Sequence, residues 1–361
     1  MSSIPIAAPD IGEEEKRRVA DVLDDGYVAD GPLVRQFESE FAQFCGTEHA
    51  VATSNGTTAL HAAFEALGIG EGDRVVTTPF SFVASANAVR FAGAEPVFAD
   101  VDPRTYNLDP DDVERIARER DVDAVLAVHL YGLPAEMDRL REIADAHDLA
   151  LVEDAAQAHG AEYGGEPVGS LGDAACFSFY PTKNMTTGEG GMITTDRADV
   201  AERAARFVNH GRTDAYEHAE LGHNFRMTSI AAAIGRAQLT KLPDNVAARR
   251  ANAATLTDAV RDVEGVTAPV EPDGRTHAFH QYTVRTGDRE ALRSHLDDRG
   301  VDTAVYYPRP IHAQPAYADA NPDAPNAERA AGTVLSLPVH PGLDADDLRR
   351  ITDSLHTYDN V

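Results

Sequence analysis

Lysine is nearly absent from this chain of 361 residues: among 32 basic side chains only Lys16, Lys183 and Lys241 are lysines, and the rest are arginines. Cysteine is as scarce. Cys45 and Cys176 lie far apart with no Cys-x-x-Cys, which excludes a disulfide framework or a thiolate zinc site and fits a reducing, cytoplasmic setting. No apolar run reaches the ~20 residues of a membrane span, and the amino-terminal MSSIPIAAPDIGEEEKRR lacks the basic-then-apolar pattern of a secretory signal. The chain is therefore expected to be soluble, with no membrane partner. Internal repeats and low-complexity tracts are missing too, apart from a Pro, Asp and Ala-rich patch at 315–326 that reads as a loop. The 14 histidines show no metal-ligand spacing. Asp100-Val-Asp102-Pro-Arg104-Thr105 begins like a calcium loop but puts Arg and Thr where an oxygen ligand and Gly are needed. No bound metal is expected.

What is present in excess is acid. Asp and Glu number 60, and the formal charge of -28 disfavours nucleic acid or an anionic membrane as a partner. An acidic surface depleted of lysine resembles proteins of salt-loving organisms, in which salt screens repulsion that would weaken the fold in dilute buffer. A halophilic protein is expected. The hydrophobic fraction of 43% and charged fraction of 25% are those of an ordinary folded chain. The length exceeds one core, so a large domain plus a smaller one is expected.

Short apolar runs at 48–53, 74–78, 95–100, 124–130, 148–153, 174–179 and 190–195 alternate with helical patterns at 56–68, 83–92, 111–119 and 135–146. This alternation predicts an α/β fold with a mostly parallel, seven-stranded sheet flanked by helices. A helical segment at 227–241 ends in Lys241-Leu242-Pro243, and an Ala and Arg-rich helix follows at 244–262. The boundary is therefore expected there: a large domain over 1–243 and a smaller α+β domain over 244–361. The second part holds a strand at 278–285, a helix at 288–299, an irregular stretch at 304–317 and a last helix at 344–356.

Three segments carry chemistry. In Cys176-Phe-Ser178-Phe-Tyr-Pro-Thr-Lys183-Asn-Met-Thr-Thr-Gly-Glu-Gly-Gly191 a strand ends in a loop that keeps one of the chain's few lysines. A lysine amine condenses with an aldehyde, whereas arginine forms no Schiff base, and burial lowers the amine's pKa so that it can be nucleophile and proton carrier. In Leu151-Val-Glu-Asp154-Ala-Ala-Gln157 an apolar strand runs into a carboxylate. At the carboxyl edge of a parallel sheet such a group can keep a pyridine nitrogen protonated, or can simply cap the next helix. In Thr53-Ser-Asn-Gly56-Thr57-Thr58 small hydroxyl residues open a helix after a strand, which suits a phosphate dianion and equally suits capping.

Together these segments resemble the sugar aminotransferases of the DegT/DnrJ/EryC1/StrS type, pyridoxal-phosphate enzymes of the aspartate-aminotransferase fold, fold type I. The resemblance extends through Pro9-Asp-Ile-Gly-Glu-Glu-Glu, Thr78-Pro-Phe-Ser-Phe82-Val-Ala, Pro96-Val-Phe-Ala-Asp-Val-Asp, His129-Leu-Tyr-Gly, Asn209-His-Gly-Arg, Leu221-Gly-His-Asn224-Phe-Arg226-Met and Leu335-Ser-Leu-Pro-Val-His-Pro. It implies that pyridoxal 5'-phosphate is the cofactor and Lys183 its Schiff-base residue. It further implies that Asp154 partners the pyridine nitrogen, Phe82 stacks on the ring and Gln157 lies near the phenolic oxygen. Gly56, Thr57, Thr58 and Ser178 would hold the phosphate, with Asn224 reaching it from the second subunit of a homodimer. L-glutamate and a nucleotide-linked keto-sugar are the implied substrates, with Arg226, Tyr306 and Tyr307 as substrate contacts. Many relatives read His-Tyr-Pro where this chain has Tyr306-Tyr307-Pro308. The Pro308-x-Pro310-x-His312-x-Gln314 run leans toward amination at C3. Relatives that dehydrate sugars replace the lysine, so an intact Lys183 favours transamination over the dehydratase, and a cofactor-bound regulatory protein is the remaining alternative.

Overall fold

The computed structural model describes residues 3–358. Helices α1 (Glu13–Asp25) and α2 (Pro32–Cys45) lead into an α/β unit in which each strand hands the chain to a helix: β1 (His49–Thr53), α3 (Gly56–Leu67), β2 (Arg74–Thr77), α4 (Ala84–Phe91), β3 (Glu95–Phe98), α5 (Pro110–Glu119), β4 (Ala124–Val128), α6 (Met137–His147) and β5 (Ala150–Asp154). A small hairpin, β6 (Glu162–Tyr163) with β7 (Glu166–Pro167), precedes β8 (Ala174–Ser178), β9 (Gly191–Thr195) and α7 (Ala198–Phe207).

Seven of these strands form one sheet in the order β1-β9-β8-β5-β4-β2-β3. Only β9 runs against its neighbours, pairing antiparallel with both β1 and β8, while the remaining pairs are parallel. The interior strands are covered on both faces, which is why they read as continuous apolar runs. In β4, Val125 and Ala127 enter the layer shared with α2 and α6, whereas Ala124 and Leu126 enter the layer shared with α3 and α7.

A second hairpin, β10 (Arg212–Asp214) with β11 (Glu217–His218), leads to α8 (Ser229–Arg261). The chain ends in β12 (Val266–Thr267), β13 (Arg275–Thr276), β14 (Tyr282–Thr286), α9 (Arg289–Asp297), α10 (Pro325–Thr333), β15 (Val334–Leu337) and α11 (Ala345–His356). β12, β14 and β15 make a small antiparallel sheet, and β13 pairs with β6. A separate apolar core gathers Leu256, Val260, Val284, Leu292, Leu296, Leu337, Ile351 and Leu355.

Two sequence expectations are corrected here. The break at Pro243 does not occur: α8 is one helix of 33 residues with Pro243 inside it. A proline in a helix interior costs about 3 kcal/mol, but Leu242 and Val246 are buried in the large core and Leu256 and Val260 in the small one. Each such side chain contributes about 1.5–3 kcal/mol, so packing at both ends outweighs the lost turn bond. The chain passes from one core to the other within α8. Nor does the amino-terminal end belong wholly to the large core. Ile4 packs in the small one, its N–H donating to the Gly300 carbonyl at 2.8 Å and its carbonyl accepting from Asp302 at 3.0 Å.

Candidate active site

The carboxyl ends of β1, β4, β5 and β8 meet at a cavity of about 680 Å³. Strand register accounts for the convergence. Val128, Asp154 and Cys176 stand side by side across β4, β5 and β8, and Gly191 pairs with both Thr53 and Ser178. Gly56, Thr57, Thr58, Phe82, Asp154, Gln157, Ser178, Lys183, Tyr306 and Tyr307 all line it. In open α/β sheets this edge, at a reversal of strand order, is where ligands sit.

Lys183 stands in a pinned loop. Phe179 N–H donates to the Gly190 carbonyl at 2.8 Å, Thr186 Oγ1 to the Phe179 carbonyl at 2.8 Å, and Asn184 Nδ2 to the Ala278 carbonyl at 3.0 Å. Lys16 pairs with Glu13 at 2.6 Å and Lys241 with Glu15 at 2.8 Å, but Lys183 has no ion pair among the described residues. Burial pushes its amine down to about 8, with the charge of Asp154 acting in the opposite direction. In protein freed of small molecules, reductive methylation of Lys183 is therefore expected to accelerate as pH rises through about 8, where an ordinary lysine needs about 10.4. Peptide mapping across pH reads this. A midpoint at the ordinary value would refute it.

Behind the lysine, His159 is fully buried between the rings of Phe177 and Phe179, at 5.3 and 5.7 Å between centroids. Burial and the charge of Lys183 hold its imidazole down to about 3, so it is neutral. His280, which also lines the cavity, is kept neutral by burial and by Lys183 and Arg249.

Asp154 is held at two points. Its Oδ2 accepts from Ser85 Oγ at 2.7 Å and its Oδ1 from the Ala156 N–H at 3.2 Å. No helix follows it, so the capping alternative is set aside. Its neighbour Glu153, buried on the opposite face, fixes the strand end by accepting from the N–H groups of Gly169 at 3.0 Å, Leu171 at 2.8 Å and Gly172 at 3.0 Å. It also pairs with His129 Nε2 at 2.9 Å, and because His129 Nδ1 accepts from Ala135 N–H at 3.0 Å, Nε2 carries the proton.

At the start of α3, Asn55 is the cap: its Oδ1 accepts from Thr58 N–H at 2.9 Å and its N–H donates to Thr58 Oγ1 at 3.1 Å. Thr58 is thus consumed by capping. The N–H groups of Gly56 and Thr57 have no hydrogen-bond partner among the described residues and head the helix, where its dipole favours an anion. Glycine is needed at 56, because a Cβ there would lie 2.7 Å from the Cβ of Ser178.

Gln157 accepts from Tyr131 N–H through Oε1 at 2.7 Å and donates from Nε2 to Tyr307 Oη at 3.1 Å. Phe82 is 57% exposed at the rim, its ring 6.1 Å from that of Tyr307, so it is not a core residue. Asn224 and Arg226 do not reach the cavity of their own chain. Asn224 is exposed, and Arg226 donates to Asn209 Oδ1 at 2.6 Å in a separate cleft that Arg212 also lines. Sequence reasoning missed Ser85, Glu189, His280 and Gln281. The last two were placed in a strand, but β14 begins only at Tyr282, leaving 277–281 free to enter the site.

The sequence pattern of the DegT/DnrJ/EryC1/StrS aminotransferase family matches residues 9–356. The chain is 42% identical over 356 residues to the dTDP-3-amino-3,4,6-trideoxy-alpha-D-glucose transaminase of Streptomyces venezuelae, covering 98% of this chain and 94% of that protein. It is 41% identical over 334 residues to a pleiotropic regulatory protein of Geobacillus stearothermophilus, covering 91% of this chain and 90% of the other. Among solved structures, S. venezuelae DesV in complex with a ketimine intermediate superposes with a TM-score of 0.95 at 40% identity, covering 99% of this chain and 98% of that one.

Proposed function

Because this chain belongs to the DegT/DnrJ/EryC1/StrS aminotransferase family, we propose that it is a pyridoxal-phosphate enzyme that passes the amino group of L-glutamate to a nucleotide-linked keto-sugar. One observation carries the reading: Lys183, alone among the three lysines, has no ion pair among the described residues, and it shares a cavity with Asp154 and the open end of α3, where burial pushes its amine down to about 8.

The residues present suit the cofactor. The free N–H groups of Gly56 and Thr57, with the hydroxyls of Thr57 and Ser178, would take its phosphate, Asp154 its ring nitrogen, and Phe82 its face. Thr58 would act through the cap it forms. When bound, pyridoxal phosphate supplies an aldehyde carbon that condenses with amines and a protonated ring that accepts electrons. Lys183 Nζ is the amine that would hold its aldehyde carbon, and as a free base it would take the proton from the carbon bearing the donor's amino group. Asp154, kept in place by Ser85 Oγ and Ala156 N–H, holds a proton on the ring nitrogen. Gln157, fixed at both ends of its amide, orients the substituent beside it.

The cavity of one chain supplies a single cation, Lys183, against Asp154 and Glu189. A phosphorylated cofactor and a nucleotide diphosphate need more positive charge than that. Arg212 and Arg226 have no acidic partner among the described residues and sit near the exposed Asn224, so the reading includes a homodimer in which each chain completes its partner's site. Sedimentation that found a fully active monomer would end that part.

The decisive experiment adds L-glutamate to the purified yellow protein. Loss of the yellow absorbance with release of 2-oxoglutarate supports transfer. An unchanged spectrum would favour the regulatory reading, for which the name of the G. stearothermophilus relative is the specific support. A screen of nucleotide-linked keto-sugars with mass detection of the amine then identifies the acceptor, and with it C3 or C4. Deoxygenated product without amine would indicate the dehydratase.

The reading extends to compartment and salt. Both cysteines are buried and unpaired, which suits a reducing cytoplasm. The surplus of 60 acids over 32 bases leaves carboxylates that the surface arginines cannot neutralise. The melting temperature is expected to rise by about 10 °C or more between dilute buffer and molar KCl; equal stability at both would remove the halophilic assignment.

A further inference from the structure

We propose that Tyr131 is a positioning residue for the acceptor: it latches the Tyr306–Tyr307 loop over the cavity and leaves the amino-donor step untouched. This rests on the reading above, in which Tyr306 and Tyr307 meet the sugar.

The loop is anchored at both ends by backbone bonds. Ala304 exchanges hydrogen bonds with Ser336 at 3.1 and 2.8 Å, and Ile311 N–H donates to the Pro79 carbonyl at 2.7 Å. Between these anchors, residues 305–309 are tied to the rest of the protein by two hydrogen bonds among the described residues. Tyr131 Oη donates to the Tyr306 carbonyl, and Gln157 Nε2 donates to Tyr307 Oη at 3.1 Å. The second tie also leads back to Tyr131, whose N–H holds Gln157 Oε1 at 2.7 Å. Both hydrogen bonds on the loop therefore converge on one residue, while Val305, Tyr306 and Tyr307 also pack against an apolar cluster of which Tyr131 is a member.

Tyr131 is built to stay fixed. It is 4% exposed, and its φ of 61° lies in the left-handed region that side chains rarely adopt. Its carbonyl accepts from Gln281 N–H at 3.2 Å, and its ring packs edge-on to that of Tyr106 at 6.1 Å. Burial raises its phenol well above the usual range, so Oη remains a donor. The ring and backbone serve packing and Gln157, whereas Oη has the Tyr306 carbonyl as its hydrogen-bond partner. Tyr131→Phe separates the two roles by removing one oxygen atom.

The chain has no tryptophan, so Tyr306→Trp introduces a sole indole that can be excited apart from the tyrosines, and it keeps the backbone carbonyl that Tyr131 binds. Adding Tyr131→Phe to that background is expected to raise the acrylamide quenching constant about two- to fivefold, because one net hydrogen bond no longer restrains the loop. In Tyr131→Phe alone, glutamate should still bleach the yellow protein within about twofold of the wild-type rate, while KM for the acceptor rises about three- to tenfold. Unchanged quenching overturns the latch. Donor and acceptor steps falling together also overturn it, since Tyr131 would then be supporting the fold. A wild-type protein inert to glutamate would sink the proposed function instead, and the quenching comparison would still decide the latch.

Discussion

Lys183→Ala is expected to leave the protein folded and to abolish turnover, with a loss of at least about 10⁴-fold. The yellow absorbance should be missing from the purified variant. Lys183→Arg should be as inactive, because guanidinium keeps the charge but cannot condense with an aldehyde. The pair of variants thus separates the need for an amine from the need for a cation. Neither should lower the melting temperature much, since Lys183 has no ion pair among the described residues to lose and its ammonium is held in an unfavourable buried setting. Dialysis, absorption spectra and amine formation report the outcome, and undiminished activity in either variant would end the assignment.

Asp154→Asn should cost about 10²–10⁴-fold in turnover while the protein remains yellow. The amide keeps the shape and can still accept from Ser85 Oγ, but it removes the negative charge that would keep the ring nitrogen protonated. A second effect has a definite sign. The carboxylate raises the Lys183 pKa against burial, so its loss should move that amine below its value of about 8. The methylation profile of the cofactor-free variant would then shift to lower pH. A shift upward would show that Asp154 does not raise the amine's pKa, and full activity would show that it does not act on the ring.

Much of this was legible in the sequence because strands buried on both faces leave unbroken apolar runs, and all seven strands of the large sheet were found in their segments. The antiparallel course of β9 left no such trace, since direction is set by pairing with β1 and β8 and not by composition. Lys183 stood out because the chain has almost no other lysine. Its free state was not legible, for that depends on which carboxylates the fold brings to Lys16 and Lys241. Ser85 was invisible for a similar reason: it lies 69 residues from the Asp154 carboxylate it holds. At Pro243 a local rule favoured a break, and burial of Leu242 on one side and Leu256 on the other overrode it. Arg226 was grouped with the tyrosines as a substrate contact, yet within one chain it lies in a different cleft.

The uninterrupted course of α8 restricts how the molecule can move. A beam of 33 residues, roughly 50 Å long at helical rise, is embedded in both cores, so the smaller core has no flexible strap at residue 243 on which to swing. Any opening large enough to admit a nucleotide sugar falls instead to surface loops or to small sliding of packed helices. Catalysis on such a scaffold would be gated at the mouth, with the walls staying still.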